Sequence, residues 1–387
     1  MNTKNDLINS FSTRIKSKDE LKDLSILILN APCNGFGDVI FAYKLSRYLK
    51  EWYPPITVKI ATTKSDNFLS IGEDPDSLIQ LSGLSKELQC RRFTSLVPQK
   101  SLTGFDLIFV APLQADYDIS YKDIRSLIPY SNKMNTYFFS EYNDKSAKEM
   151  DFHTGIGEGK YGLMFTKTPV AFLRNKDFLN QNGLKKNKYA LCYIANTIVN
   201  MRKCYISFFE MVSKKYVDKK FMIVIPPSLI EDIENEKNKS LNKLYKYFSK
   251  IILVKKDSER IFQDLEETNK NILYLRADIL PVKNIDMMVL IYNSVSDILL
   301  TGDQSITDAL SCCPKKNIWY QQAPWKKDFS KKLGLHLPQK YYKKKSTSCG
   351  TMTAINLKSN YSSFVKKYDF RKLAKPKITQ IINMILS

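Results

Sequence analysis

Residues 24–30, LSILILN, form an apolar run that stops at Asn30. A turn, Pro32-Cys33-Asn34-Gly35-Phe36-Gly37, follows it and leads to Asp38. Beyond Asp38 the pattern changes period, with apolar residues at Val39, Ile40, Ala42, Tyr43, Leu45, Leu49 and Trp52. An unbroken apolar run predicts a strand buried on both faces, and the later spacing predicts an amphipathic helix. Two more β-rich runs follow, ITVKIAT at 56–62 and FDLIFVAPL at 105–113. Strand, helix and strand with buried strands predict a parallel sheet.

The texture changes near residue 150, where four glycines fall within 155–162, and a polar stretch, NKDFLNQNGLKKNK, covers 175–188. A second series then begins. Strands are predicted at 189–195, 220–228, 251–253, 271–277, 297–303 and 317–321. Helices are predicted near 204–217, over Lys237–Lys250, at 285–295 and at 304–313. The last 27 or so residues are predicted to be helical with a break at Pro376. Two series of similar size predict an α/β chain with two Rossmann-like domains facing across a cleft. The expected limits are 1–175 for the first domain, 188–360 for the second and 361–387 for a terminal helical segment. No repeat at solenoid periods is visible.

Charge widens the range of partners. The chain of 387 residues carries a formal net charge of +21, mostly from lysine. Such a field draws nucleic acid, anionic membrane faces and phosphorylated small molecules. Nucleic acid is not the expected partner, because arginine-rich patches interleaved with aromatics are missing. Peripheral contact with an anionic membrane face stays open. The seven cysteines (Cys33, Cys90, Cys192, Cys204, Cys312, Cys313, Cys349) show no CxxC spacing, and His153 and His336 lie far apart. That pattern argues against a metal site or a disulfide framework and for a reducing compartment. No leader with a signal-peptide core and no membrane-spanning run is read, so a cytoplasmic protein is expected.

Two strand–turn–helix junctions carry candidate chemistry. At Asn34-Gly35-Phe36-Gly37-Asp38 the glycines suit a sharp turn, and Asp38 is either a helix cap or a general base. The second junction is Gly302-Asp303-Gln304-Ser305, with Thr307 and Asp308 close behind. Free amides and small hydroxyls at a helix start suit a diphosphate, and an ordinary capped helix with Asp303 as N-cap is the alternative. A third feature, the glycine-rich segment Thr154–Gly162, contains Gly157 and Lys160 and is either a loop over a phosphate or a turn-rich hairpin. His153 beside it is a surface or packing residue, or one that orients a substrate hydroxyl. The run Lys340–Lys345 is either a face for an anionic partner or a solvated basic loop.

The two junctions fall at equivalent places in the two halves. Together, LILNAPCNGFGDVIFAYKLSRYLKEWYP and LPVKNIDMMVLIYNSVSDILLTGDQSITDALSCCPKKNIWY resemble the ADP-heptose:lipopolysaccharide heptosyltransferase family, glycosyltransferases of the GT-B fold. The resemblance implies that Asp38 is the catalytic base, with Asn34, Gly35, Phe36 and Gly37 on the acceptor side. It implies that Gly302, Asp303, Gln304, Ser305, Thr307 and Asp308 bind the donor. A basic residue near the first strand of the second half neutralises the leaving phosphate in such enzymes. Arg202 and Lys203 are the candidates, beside Asn196 and Thr197. Asp308 stands where the family places a histidine, so the resemblance does not extend to the donor's base or sugar. The expected substrates are a nucleotide-sugar and a hydroxyl acceptor such as a glycan or lipid-linked saccharide, with no cofactor and no metal. The rivals are a nucleotide-sugar epimerase or pyruvyl transferase on the same fold, and a polyanion-binding protein.

Overall fold

A computed structural model describes residues 4–15, 19–32, 36–81, 102–113, 135–143, 150–168, 170–195, 204–235, 241–264, 271–312, 316–322, 326–336, 342–347, 350–356 and 362–387. The chain divides into two compact units. The first is Met1–Phe165 with Lys331–Leu333 and Phe364–Ser387, and the second is Thr166–Ser330 with Gly334–Ser363.

The first unit holds a five-stranded sheet of β1 (Ser25–Asn30), β2 (Thr57–Thr62), β3 (Leu78–Gln80), β4 (Leu107–Leu113) and β5 (Thr136–Ser140), ordered β3-β2-β1-β4-β5. Every pairing in it is parallel. Ile26 to Asn30 are all buried, which is what a central parallel strand requires of its sequence. The helix Gly37–Trp52 buries Val39, Ile40, Phe41, Ala42, Leu45 and Leu49. The terminal helix Lys375–Ile385 belongs to this unit and buries Ile378, Ile381 and Ile382. Pro376 stands in its first turn, where a missing amide costs nothing, and a separate short helix, Phe370–Leu373, ends just before it. The Tyr53 and Thr379 hydroxyls share a hydrogen bond of 2.6 Å.

The second unit holds a nine-stranded sheet, ordered β13-β14-β12-β11-β6-β7-β10-β8-β9. Its strands are β6 (Tyr189–Tyr193), β7 (Lys220–Val224), β8 (Lys250–Val254), β9 (Glu259–Asp264), β10 (Ile272–Arg276), β11 (Asp297–Thr301), β12 (Asn317–Gln321), β13 (Tyr342–Thr347) and β14 (Gly350–Asn356). The strands β10-β7-β6-β11-β12 are parallel and follow the same plan as the first sheet. In each, the first strand in the chain lies at the centre, the second and third lie on one side, and the fourth and fifth on the other. Two additions extend the second sheet. Parallel β8 and antiparallel β9 lie beyond β10, and antiparallel β14 and β13 lie beyond β12. Leu191, Ile223, Leu253, Leu273 and Leu299 are fully buried on these strands, as are Phe208 and Phe209 on the helix Cys204–Tyr216. The chain is therefore α/β with two Rossmann-like units. No helix among the described residues is long and apolar enough to cross a membrane.

Two expectations change. The helix expected over Lys237–Lys250 is absent from its described part, where a 3-10 helix, Leu241–Leu244, runs on toward β8. Lys250 pairs with Ile272 of β10, and a helix through 250 would forfeit that ladder. The basic segment at 340–345, expected as a loop, enters β13 at Tyr342 and pairs with β14 from Tyr342↔Ile355 to Thr347↔Gly350. It forms one edge of the sheet.

Candidate functional site

In an open parallel sheet, ligands bind outside the carboxyl ends of the strands, where the winding direction reverses. The first sheet reverses at β1, which lies between β2 and β4, and the second at β6, which lies between β7 and β11. The Asp38 junction follows β1, and the Asp303 junction follows β11, next to β6. The Asp38 turn thus follows the strand at which its sheet reverses, and the Asp303 turn follows the strand beside that point, so the two do not stand at the equivalent places expected of them in the shared plan.

At the first junction, the helix begins at Gly37 behind Phe36, its N-cap, which makes no side-chain cap. Asp38 is the second helical residue and is half-buried. The N-cap is therefore not Asp38, although a carboxylate in the first turn still suits the positive helix end. Gly37 is exposed with open space around its Cα and no left-handed φ, so the turn does not depend on it as expected. Asn34 and Gly35 lie outside the described residues. Behind the turn, Asn30 is 1% exposed. Its Nδ2 donates to the carbonyl of Ala111 at 2.8 Å and to that of Asp38 at 3.2 Å. Its Oδ1 accepts from Thr62 Oγ1 at 3.5 Å.

The second junction is built differently. Gly302 has φ +74°, the left-handed turn that lets the strand enter the helix Asp303–Cys312. The first backbone bond across the junction runs from Ile306 N to Gly302 O at 3.4 Å, which leaves the amides of 303–305 ahead of it at the helix end. Asp303 is buried and starts the helix instead of capping it. Its Oδ2 takes a hydrogen bond from Lys326 Nζ at 2.9 Å, and its Oδ1 one from Tyr320 Oη at 3.3 Å. A bare carboxylate here would repel a phosphate, and the ammonium cancels it. Gln304 is buried, and its Oε1 has no hydrogen-bond partner among the described residues. Ser305 donates to the carbonyls of Thr301 and Gly302, and Thr307 donates to that of Gln304 at 2.8 Å. Their protons are thus spent on the backbone of the junction itself. Thr307 is fully buried. Asp308, 3% exposed, accepts from Thr166 Oγ1 at 2.9 Å and from Asn284 Nδ2 at 3.4 Å. It faces the start of the second unit's own chain.

Asn196, Thr197, Arg202 and Lys203 lie outside the described residues. The end of β6 just before them is pinned by Gln321, which accepts from Ala195 N at 3.0 Å and donates to Ala195 O at 3.3 Å. The glycine-rich segment in the first unit is a braced hairpin. Gly155 N donates to Gly162 O at 2.8 Å, and Asn143 bonds both the amide and the carbonyl of Ile156, at 3.0 and 2.7 Å. Gly157 and Lys160 are half-buried near its tip, with Lys160 N donating to Gly157 O at 3.4 Å. Sequence reasoning missed Lys326 and Asn30. Asn30 had a signal, a polar residue closing a buried strand, whereas Lys326 reaches Asp303 from 23 residues away with no local pattern to mark it.

No family model matches the chain, and no curated protein matches it in sequence. Among solved structures it is similar to the E. coli heptosyltransferase WaaC with ADP, at 9% identity and a TM-score of 0.38, over 76% of this chain and 86% of that one.

Proposed function

We propose that the protein is a glycosyltransferase that moves a sugar from a nucleotide-sugar to a hydroxyl acceptor, with inversion and without an essential metal. One observation carries the reading. Of the two motif turns, one follows the central strand of its sheet and the other follows the strand next to the centre, in two sheets with the same strand plan, so both border the crevice where a parallel sheet reverses. In this reading the Asp38 carboxylate takes the proton of the acceptor hydroxyl as that oxygen attacks the anomeric carbon. The bond from that carbon to the diphosphate breaks, and the nucleoside diphosphate leaves. The amides at the start of Asp303–Cys312 and the Lys326 ammonium meet the developing charge. Arg202 and Lys203, which follow β6 in the chain, are assigned the same work. The Gln304 Oε1 is suited to accept from a donor hydroxyl or amine.

The test is nucleotide release from UDP-, GDP-, ADP-, CMP- and dTDP-linked sugars, with water as acceptor and with saccharide acceptors. Release from one donor, unaffected by chelator, is expected. No release and no shift in melting temperature with any donor would defeat the assignment.

A further inference from the structure

We infer that Asn30 is the positioning residue for Asp38, holding the first turn of its helix at a fixed height over the carboxyl edge of the first sheet. The inference rests on the reading of Asp38 as the base. Asn30 closes β1 one residue beyond the last β1–β4 ladder pair, Leu29↔Val110. Past that point β4 has no ladder partner on β1, and Asn30 Nδ2 donates to Ala111 O at 2.8 Å. The amide's second proton goes to Asp38 O at 3.2 Å. The helix leaves that carbonyl with a spare lone pair, which the amide uses. Thr62 fixes which way the amide faces by donating to its Oδ1 at 3.5 Å. Thr62 is itself set by Lys64 N, which donates to its Oγ1 at 3.2 Å. Asn30 and Thr62 are 1% and 0% exposed, so solvent does not replace these bonds.

The arrangement ties three strands to one helix start through a single side chain. An aspartate in its place would set acceptors against acceptors, and an aliphatic residue would leave the Ala111 carbonyl buried without this donor. Bracing for sheet stability alone requires only the Ala111 bond. The bond to Asp38 is the one that a placed base needs, because a displacement near 1 Å costs roughly a hundred-fold in rate.

Asn30→Ala, Thr62→Val, Asp38→Asn and the double variant Asn30→Ala/Asp38→Asn are compared with wild type in nucleotide release from the five donors. Asn30→Ala is expected to lower kcat about ten-fold or more, with the donor KM unchanged. Thr62→Val keeps both Nδ2 donors and is expected to fall between it and wild type; it serves alone if Asn30→Ala does not fold. In the Asp38→Asn background Asn30→Ala should cost nothing further, since the group it positions is gone. A wild-type kcat in Asn30→Ala, or in a lone Thr62→Val, overturns the inference, as does an equal loss with and without Asp38. A wild-type protein that releases no nucleotide from any donor fails earlier. That result removes the reading of Asp38 as base, and the positioning role falls with it.

Discussion

The two junctions spell nearly the same thing, a buried strand, a turn with Gly-Asp and a helix, yet the structure gives their acids opposite surroundings. Asp38 is half-buried in the first turn of its helix, with its backbone pinned by Asn30. Asp303 is 7% exposed, and its carboxylate is bonded by Lys326 and Tyr320. A carboxylate that must take a proton needs access and a fixed backbone. One beside a proposed diphosphate needs its charge cancelled. The comparison teaches that the pair of residues marks a location on the sheet, and that the neighbours decide the chemistry.

The sharpest break in the comparison is Asp38→Asn. If Asp38 is the base, nucleotide release should fall about a thousand-fold in a variant that melts like wild type. Near-full turnover would return Asp38 to a purely helical role. The counterpart is Lys326→Met, which leaves the buried Asp303 without this cation. Loss of one partner of a buried pair costs about 3 kcal/mol or more, read as a fall in melting temperature. Pairing it with Asp303→Asn should recover most of the loss, because the uncompensated charge is then gone. If Lys326→Met alone is harmless, the ion pair does not set the state of Asp303.

How much of this was legible depended on which strands the sheet buries. β1 and β11 are central, so their sequences, SILILN and DILLT, read as strands without help. β5 lies at the edge of the first sheet and was not expected as a strand, although its five residues TYFFS are wholly buried. The edges were not readable. ERIFQD of β9 and YKKKST of β13 are rich in charged residues, and charge hides the alternation that marks a strand. Leu241, Leu244 and Phe248 have helical spacing and are buried, but pairing of β8 with β10 overrides the local preference. At the site, sequence located both turns, while Lys326 and the Asn30 bonds depend on residues brought together by the fold.

One strand carries the contrast within itself. β11 ends at the Asp303 turn and begins at Asp297, 3% exposed. Asp297 accepts from Lys215 Nζ at 2.6 Å, from Trp319 Nε1 at 3.0 Å and from Asn317 Nδ2 at 3.2 Å, and also from Tyr216. Burial alone would raise its pKa, but the bonds from Lys215, Tyr216 and Trp319 outweigh burial and hold the carboxyl below the ordinary aspartate value. The unfolded chain therefore takes up this proton at a higher pH than the folded one. The stability that results is complete above about pH 4 and is lost as pH falls through the folded pKa. Asp297→Asn is expected to cost about 2 kcal/mol at pH 7, with the gap to wild type closing in urea titrations below pH 4. It should leave nucleotide release untouched, since Asp297 stands at the amino end of the strand.

The smallest effects separate the two glycines. Gly302 turns at φ +74°, where a Cβ crowds the following carbonyl, so Gly302→Ala should destabilise by about 1–2 kcal/mol even though nothing lies within 4 Å of the added carbon. Gly37 has equally open space but no left-handed φ, and it already stands in the helix. Alanine there lowers the entropy of the unfolded chain without strain, so Gly37→Ala should stabilise by about 0.5 kcal/mol. Opposite signs in paired thermal melts are the expected result. A loss at both positions would mean that the Asp38 turn needs its glycine after all, and that the two junctions share a backbone device as well as a spelling.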